Sequence, residues 1–371
     1  MNRKLASLSV LCLFLSFLFP SSAEARKEKF HFGKVGVMHR QFIPPEPYDW
    51  RAAKTHALVT DIWYPADSTA VEQTQWIGSP ASPFAKAGKA APDAPVIAAP
   101  EKLPLIILSH GTGGSSLMLA WLGTALASHG YIAAAVNHPG NNALEPYTVQ
   151  GFSIWWERAN DLTSVLNAML ADSTFGPRID PRRIGAAGFS LGGFTVIEIA
   201  GGIGDFSRFE AFCKSSNADG MCTDPPEFPG LSSKISALAK TDPALQTALR
   251  EGAQPHRDPR IRAVFAIAPA LGPAFAPDSL ATISIPVQIL AGSADSIVPL
   301  DTNAKFFASH IPGAQLTIIQ EVGHYTFLAT CLPPGDQAQP QLCLDLAGVL
   351  RDDIHAQAAS LAYQFFDNHL K

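Results

Sequence analysis

Apolar and polar positions alternate along this chain on two different scales. Short, largely apolar runs occupy residues 105–109, 131–136, 184–189, 261–267 and 286–291. Runs of that length, broken internally only by Arg262 and Gln288, are expected of strands buried on both faces of a parallel sheet. Residues 35–38, 58–64 and 316–319 add three more strand patterns, the second with period-two alternation that leaves Asp61 on a polar, solvated face. Between several of these runs the spacing turns helical. Residues 117–129 end at Gly130, a good helix terminator, and residues 154–170 carry Trp155, Ala159, Leu162, Leu166 and Met169 on one side. The last segment, 354–370, places Ala358, Leu361, Ala362, Phe365 and Phe366 inward. Strand, loop and helix in repeated succession predict an α/β fold with eight strands, mostly parallel and flanked by helices on both sides.

Two segments interrupt the rhythm. Residues 65–102 are rich in Pro, Ala and Ser and read as a surface insertion rather than a core element. Residues 200–259 hold Cys213, Cys222, several prolines and a short helical pattern over 235–249, and would lie over the strand ends as a cap.

Ligands of a parallel sheet gather at the carboxyl ends of its strands, so the loops there carry the candidate chemistry. After the fifth run comes Gly188-Phe189-Ser190-Leu191-Gly192, followed by a helical pattern. Glycines on both sides of the serine suit a strand-to-helix turn too tight for side chains, with the Ser190 hydroxyl exposed at the head of a helix. The helix N-terminus offers free N–H groups and a positive dipole end to a developing oxyanion. After the seventh run comes Asp295, and after the eighth His324, in the order that a serine nucleophile with a later acid and base requires. A serine hydroxyl becomes nucleophilic when a neutral imidazole takes its proton, and a buried carboxylate orients and stabilises that imidazole. Asp301 is the reserve acid, although its place before a helix suits an N-cap. The oxyanion donors are assigned to Leu191 N–H and Thr112 N–H, with Gly111 and Gly113 as near alternatives. His110 is read as a structural hydrogen-bonder beneath that loop. The glycines at 111–114 lack the Lys-Ser/Thr ending of a phosphate loop and the spacing of a dinucleotide fingerprint.

Composition narrows the setting. The 371-residue chain has a net charge of −5 and no basic run, which argues against nucleic acid or an anionic membrane surface as a partner. Residues 1–25 combine a basic start, an apolar core and Ala23-Glu24-Ala25, the features of a cleaved secretory signal peptide. An uncleaved anchor is the rival, but the apolar run is short of the ~20 residues that a span needs. The remainder, 26–371, is read as one domain. Four of its residues are cysteines, Cys213, Cys222, Cys331 and Cys343, for which three pairings are possible. Cys213–Cys222 and Cys331–Cys343 are favoured as neighbours within loop-like stretches. Metal binding is the alternative, without CxxC spacing or interleaved histidine.

Several motifs carry a resemblance. Ser109-His110-Gly111, Asn137-His138-Pro139-Gly140, Gly188-Phe189-Ser190-Leu191-Gly192-Gly193, Gly292-Ser293-Ala294-Asp295, Asp258-Pro259-Arg260-Ile261, Gly323-His324 and Phe365-Phe366-Asp367 resemble the α/β-hydrolase superfamily. The nearest likeness is to its dienelactone-hydrolase-like and platelet-activating-factor-acetylhydrolase-like members. That resemblance implies an α/β-hydrolase fold with a triad of Ser190, Asp295 and His324 and a Thr112/Leu191 oxyanion hole. It also implies a serine esterase that acts on small ester substrates, short-chain or oxidised, with no cofactor, and the signal peptide makes it an exported or periplasmic one. Dienelactone hydrolases proper use a cysteine where this chain has Ser190, so dienelactone is not the expected substrate. A lactonase or amidase would use the same groups. A non-catalytic binding protein of this fold and a metal-dependent hydrolase are the more distant alternatives.

Overall fold

The computed structural model describes residues 33–370; the expected signal peptide lies outside the described residues. The chain opens with an antiparallel pair, β1 (Lys34–Phe42) and β2 (Leu58–Ala66), in register from Lys34 opposite Ala66 to Phe42 opposite Leu58. A hairpin follows, β3 (Gln73–Ser79) and β4 (Ser82–Pro92). Then come β5 (Leu103–Ser109), β6 (Ile132–Val136), β7 (Ile179–Phe189), β8 (Ile261–Ile267), β9 (Val287–Gly292), β10 (Gln315–Ile319) and the two-residue β11 (Thr330–Cys331). The sheet runs β10-β9-β8-β7-β5-β6-β2-β1-β4-β11, with β3 paired to β4. Every pairing between β5 and β10 is parallel, as the continuous apolar runs require.

Helices cover both faces. In chain order they are α1 (Ala120–Ser128), α2 (Val149–Ser153), α3 (Glu157–Ala171), α4 (Leu191–Ala200), α5 (Phe206–Cys213), α6 (Leu231–Leu238) and α7 (Pro243–Glu251). The chain continues through α8 (Pro277–Leu280), α9 (Ala304–His310), α10 (Pro333–Ala338), α11 (Pro340–Cys343) and α12 (Arg351–His369). The alternation of side chains along each strand divides the core into two. Leu105, Ile107, Val264 and Ala266 join Leu162 and Leu166 of α3 and Phe194 and Ile197 of α4 on one face. Ile106, Leu108, Ala263 and Phe265 join Leu122 and Leu126 of α1 and Phe365 and Phe366 of α12 on the other.

Five expectations are corrected. The 65–102 stretch is not a surface connection, because it forms the β3–β4 hairpin and extends the sheet beyond β1. Its Ala85, Ala87, Ala90 and Ala91 are buried, and a Cβ on Gly88 would sit 3.2 Å from Ala120 O, so small residues let α1 close on the strand. Among the described residues the sheet accordingly has eleven strands rather than eight. Asp61 is buried rather than solvated: it accepts from Ser116 Oγ and pairs with His39. The 235–249 pattern splits into α6 and α7, with Asp242 capping the second helix and Pro243 at its first position. Asp301 is not a helix cap: Asn303 precedes α9, and the exposed Asp301 carboxylate pairs with Lys305 at 2.7 Å.

The disulfides are Cys213–Cys222, closing the end of α5 onto the following turn, and Cys331–Cys343, joining β11 to α11. Among the described residues no helix is long and apolar enough to cross a membrane.

Candidate active site

β7 ends at Phe189 and α4 begins at Leu191, so Ser190 alone makes the turn. Its backbone sits at φ 57°, ψ −118°, a left-handed conformation that non-glycine residues adopt at a cost. The turn is held open by its glycines: a Cβ on Gly188 would stand 2.1 Å from Gly192 O, and one on Gly192 would stand 1.9 Å from Ser109 O. Ser190 N–H donates to Ile267 O at 2.9 Å, and Ala270 N–H donates to Ser190 O at 3.1 Å, which fixes the strained residue to β8 and its loop.

The carboxyl ends of β9 and β10 bring up the other two groups. Asp295 Oδ1 accepts from Ile297 N–H at 3.0 Å and Val298 N–H at 2.7 Å, while Oδ2 accepts from His324 Nδ1 at 2.7 Å. With Nδ1 protonated toward the carboxylate, Nε2 is left bare to accept the Ser190 hydroxyl, 2.9 Å away. The His324 ring leans on Phe189, with centroids 4.8 Å apart. A row of this order can carry a proton from serine to imidazole and hold the imidazolium against a carboxylate. Asp301, the reserve acid, takes no part in it.

Thr112 and Leu191 line the same cavity as Ser190 and His324. Gly113 N–H is committed to Asn141 Oδ1 at 2.7 Å, and a Cβ on Gly111 would touch Phe189 at 3.0 Å and the Ser190 Cβ at 3.3 Å. Of the three candidates in that loop, Gly113 is thereby set aside, while Gly111 and Thr112 both line the cavity.

The cavity holds about 940 Å³, and Phe206, Phe209, Met221, Leu231 and Ile235 from residues 200–259 line it. Trp155, which also lines it, packs edge-on to Phe209 at 5.5 Å. Three residues of this site escaped the sequence reading. Tyr147 OH donates to Gly113 O at 2.8 Å, Asn141 pins the Gly113 N–H, and Glu227 descends from the cap beside Gly113. Burial pushes the Glu227 carboxyl above the ordinary glutamate range. Tyr147 OH is raised by burial and by Glu227. Asn141 lies five residues past the 131–136 run, in the loop at that strand's carboxyl end, whereas nothing in the Pro-rich run around Glu227 signals its position. Among the described residues the cluster that best approximates a cation site is Cys331, Asp336 and Cys343, and its two sulfurs are bonded to each other.

Fold and site together define a protein of the α/β-hydrolase fold with a serine at the nucleophile elbow. Comparison with solved structures agrees on the fold. A ferulic acid esterase from Streptomyces cinnamoneus superposes with a TM-score of 0.60 over 91% of this chain and 90% of its own, at 21% identity. The family described as platelet-activating factor acetylhydrolase, isoform II, matches residues 68–153. Lipase 1 of Moraxella sp. (strain TA144) is 34% identical over 84 residues, 22% of this chain and 23% of the lipase. Cutinase 1 of Thermobifida cellulosilytica is 31% identical over 97 residues, 26% of this chain and 33% of the cutinase. The platelet-activating factor acetylhydrolase of Cavia porcellus is 48% identical over 50 residues, 14% of this chain and 12% of that protein. The chain thus aligns with a third or less of the length of each of these relatives.

Proposed function

We propose that the protein is an exported serine esterase that cleaves carboxylic esters through an acyl-enzyme on Ser190. The observation that carries this reading is the Ser190–His324–Asp295 row, joined at 2.9 and 2.7 Å and open to the cavity. Ser190 Oγ attacks the ester carbonyl carbon as His324 Nε2 takes its proton, and Asp295 stabilises the imidazolium. Thr112 and Leu191 N–H groups receive the oxyanion, a contribution of about 2.7–4 kcal/mol for one donor in comparable sites. His324 then gives the proton to the departing alkoxide. Water, activated by the same imidazole, releases the acid and restores Ser190.

Short-chain or oxidised acyl esters are the proposed substrates. Support comes from the aromatic rings in the cavity lining, among them Phe152, Trp155, Phe206 and Phe209, and from the names of the similar proteins, which are a lipase, cutinases, acetylhydrolases and a ferulic acid esterase. Export is supported by the N-terminal residues 1–25 and by the two disulfides. Turnover of a p-nitrophenyl ester series from acetate to decanoate tests both parts: the expected profile peaks at short chains and vanishes in Ser190→Ala. Activity that survives in that variant would remove the assignment.

A further inference from the structure

Behind the loop that carries Thr112 lies a second set of polar side chains that the reaction does not touch. Ser109, His110, His138, Arg158 and Asp161 are all buried to 1% exposure or less, and none of them lines the cavity. His138 Nδ1 donates to Asp161 Oδ2 at 2.7 Å, and His138 Nε2 accepts from Ser109 Oγ at 2.9 Å. Arg158 NH2 donates to Ser109 Oγ at 3.3 Å and to the His110 carbonyl. Asp161 also receives both contacts of Arg51 NH2, at 2.8 and 2.9 Å.

This set converges on His110. The backbone N–H of His138 donates to His110 Nε2 at 3.2 Å. A backbone N–H only donates, so Nε2 is bare and the imidazole proton sits on Nδ1. Nδ1–H then donates to the Gly111 carbonyl at 2.7 Å. That carbonyl belongs to the same peptide group as the Thr112 N–H. In a trans peptide the C=O and N–H vectors point in opposite directions, so a donor that fixes the carbonyl also fixes the N–H. A hydrogen bond on the oxygen polarises the amide and makes its N–H a stronger donor, by roughly 10–30% per bond in condensed phase. Burial and the Arg158 charge hold both His110 and His138 well below the usual histidine range, so both rings stay neutral at pH 7.

We propose that His110 is the positioning residue of the oxyanion-binding peptide: it grips the Gly111 carbonyl from behind and aims the Thr112 N–H into the cavity beside Ser190. The proposal rests on the esterase reading above. It gives the Asp161–His138–Ser109 row and Arg158 a purpose, which is to fix the tautomer and the main chain of a residue that never meets substrate. His110 is not a second base, because both of its nitrogens are already engaged within the protein.

The test compares His110→Asn, His110→Gln and His110→Ala in the full chain. An asparagine amide reaches the place of Nδ1, whereas a glutamine amide reaches the place of Nε2. His110→Asn is therefore expected to stay within about 3-fold of the native kcat. His110→Gln and His110→Ala are expected to lose about 10- to 100-fold in kcat with KM within about 3-fold, the size of loss that follows a small misplacement in a site. The second readout is a matched pair of esters, p-nitrophenyl acetate and its thiono analogue, whose sulfur is a poor acceptor for oxyanion-hole donors. In the glutamine and alanine variants the oxo-to-thiono rate ratio is expected to fall at least 10-fold. Equal losses on both esters, or equal losses in the Asn and Gln variants, would overturn the proposal in favour of a purely structural histidine. Should the alanine variant fail to fold, the Asn–Gln contrast decides alone. A native protein with no ester turnover sinks the esterase reading itself, an outcome distinct from an active enzyme with an unchanged ratio.

Discussion

Two rows of serine, histidine and aspartate stand in this molecule, and their distances match. Ser190–His324–Asp295 is joined at 2.9 and 2.7 Å, and so is Ser109–His138–Asp161. What separates them is everything around the hydrogen bonds. Ser190 sits at a left-handed turn at the head of α4 and faces the cavity. Ser109 is the last residue of β5, paired with Val136 and Gly188, and has no exposed surface. Besides His324, Asp295 is held by the backbone N–H groups of Ile297 and Val298 and meets no guanidinium among the described residues. Asp161 is neutralised by Arg51, and Arg158 lies beside Ser109, so a proton arriving on His138 would add positive charge where two guanidiniums are already buried. A hydrogen-bonded row acts as a base only where it meets substrate and where its charged state is tolerated. On the proposed reading the first row meets both conditions, whereas the second is buried away from the cavity.

Substitutions separate the rows most sharply. Ser190→Ala is expected to lower kcat/KM for p-nitrophenyl acetate by roughly 10⁴-fold or more at unchanged Tm, and Asp295→Asn by about 10⁴-fold. Asp161→Asn should do the reverse. It leaves Arg51 and Arg158 buried without a countercharge, an expected loss of about 3–5 kcal/mol in chemical denaturation. Equal stability of the Asp161 and Asp295 variants would erase the distinction. Ser109→Ala strands His138 Nε2 and should cost about 1–3 kcal/mol, with less than 10-fold lost in kcat.

The active-site row was legible because each member follows an apolar strand: Ser190 after residues 184–189, Asp295 after 286–291 and His324 after 316–319. Loops at strand ends are the one place where a parallel sheet shows its chemistry to solvent. The second row had no such signal. Arg158 and Asp161 lie on α3 between Trp155, Ala159 and Leu162, where charged residues on a helix ordinarily mark the solvent side. Only the tertiary fold, which drops the Ser109–His110 turn and the His138 loop onto that helix, turns them inward. The β3–β4 hairpin was missed for a related reason. Ala, Gly and Pro have low strand propensity, and Ala85, Ala87 and Gly88 form a strand because α1 needs small residues beneath it.

Acid gives a finer comparison. Burial and Arg158 depress the folded-state pKa of His110 and His138, and burial with Arg351 pushes His355 down to about 4. Each is depressed relative to an unfolded value of about 6.5. The unfolded chain therefore binds protons first, and stability that is full above pH 6.5 is lost as pH falls below it, by about 1.4 kcal/mol per pH unit for each group. Denaturation midpoints between pH 7 and pH 5 should fall accordingly. A flat profile would mean that these rings take up protons as readily in the folded chain as in the unfolded one.

The central claim is that only one of the two serines is a nucleophile. Reaction of the native protein with a fluorophosphonate, followed by peptide mass mapping, tests it directly. One adduct per chain is expected, on Ser190, with Ser109 unmodified and no labelling in Ser190→Ala. An adduct on Ser109, or no adduct on native protein that remains folded, would contradict it.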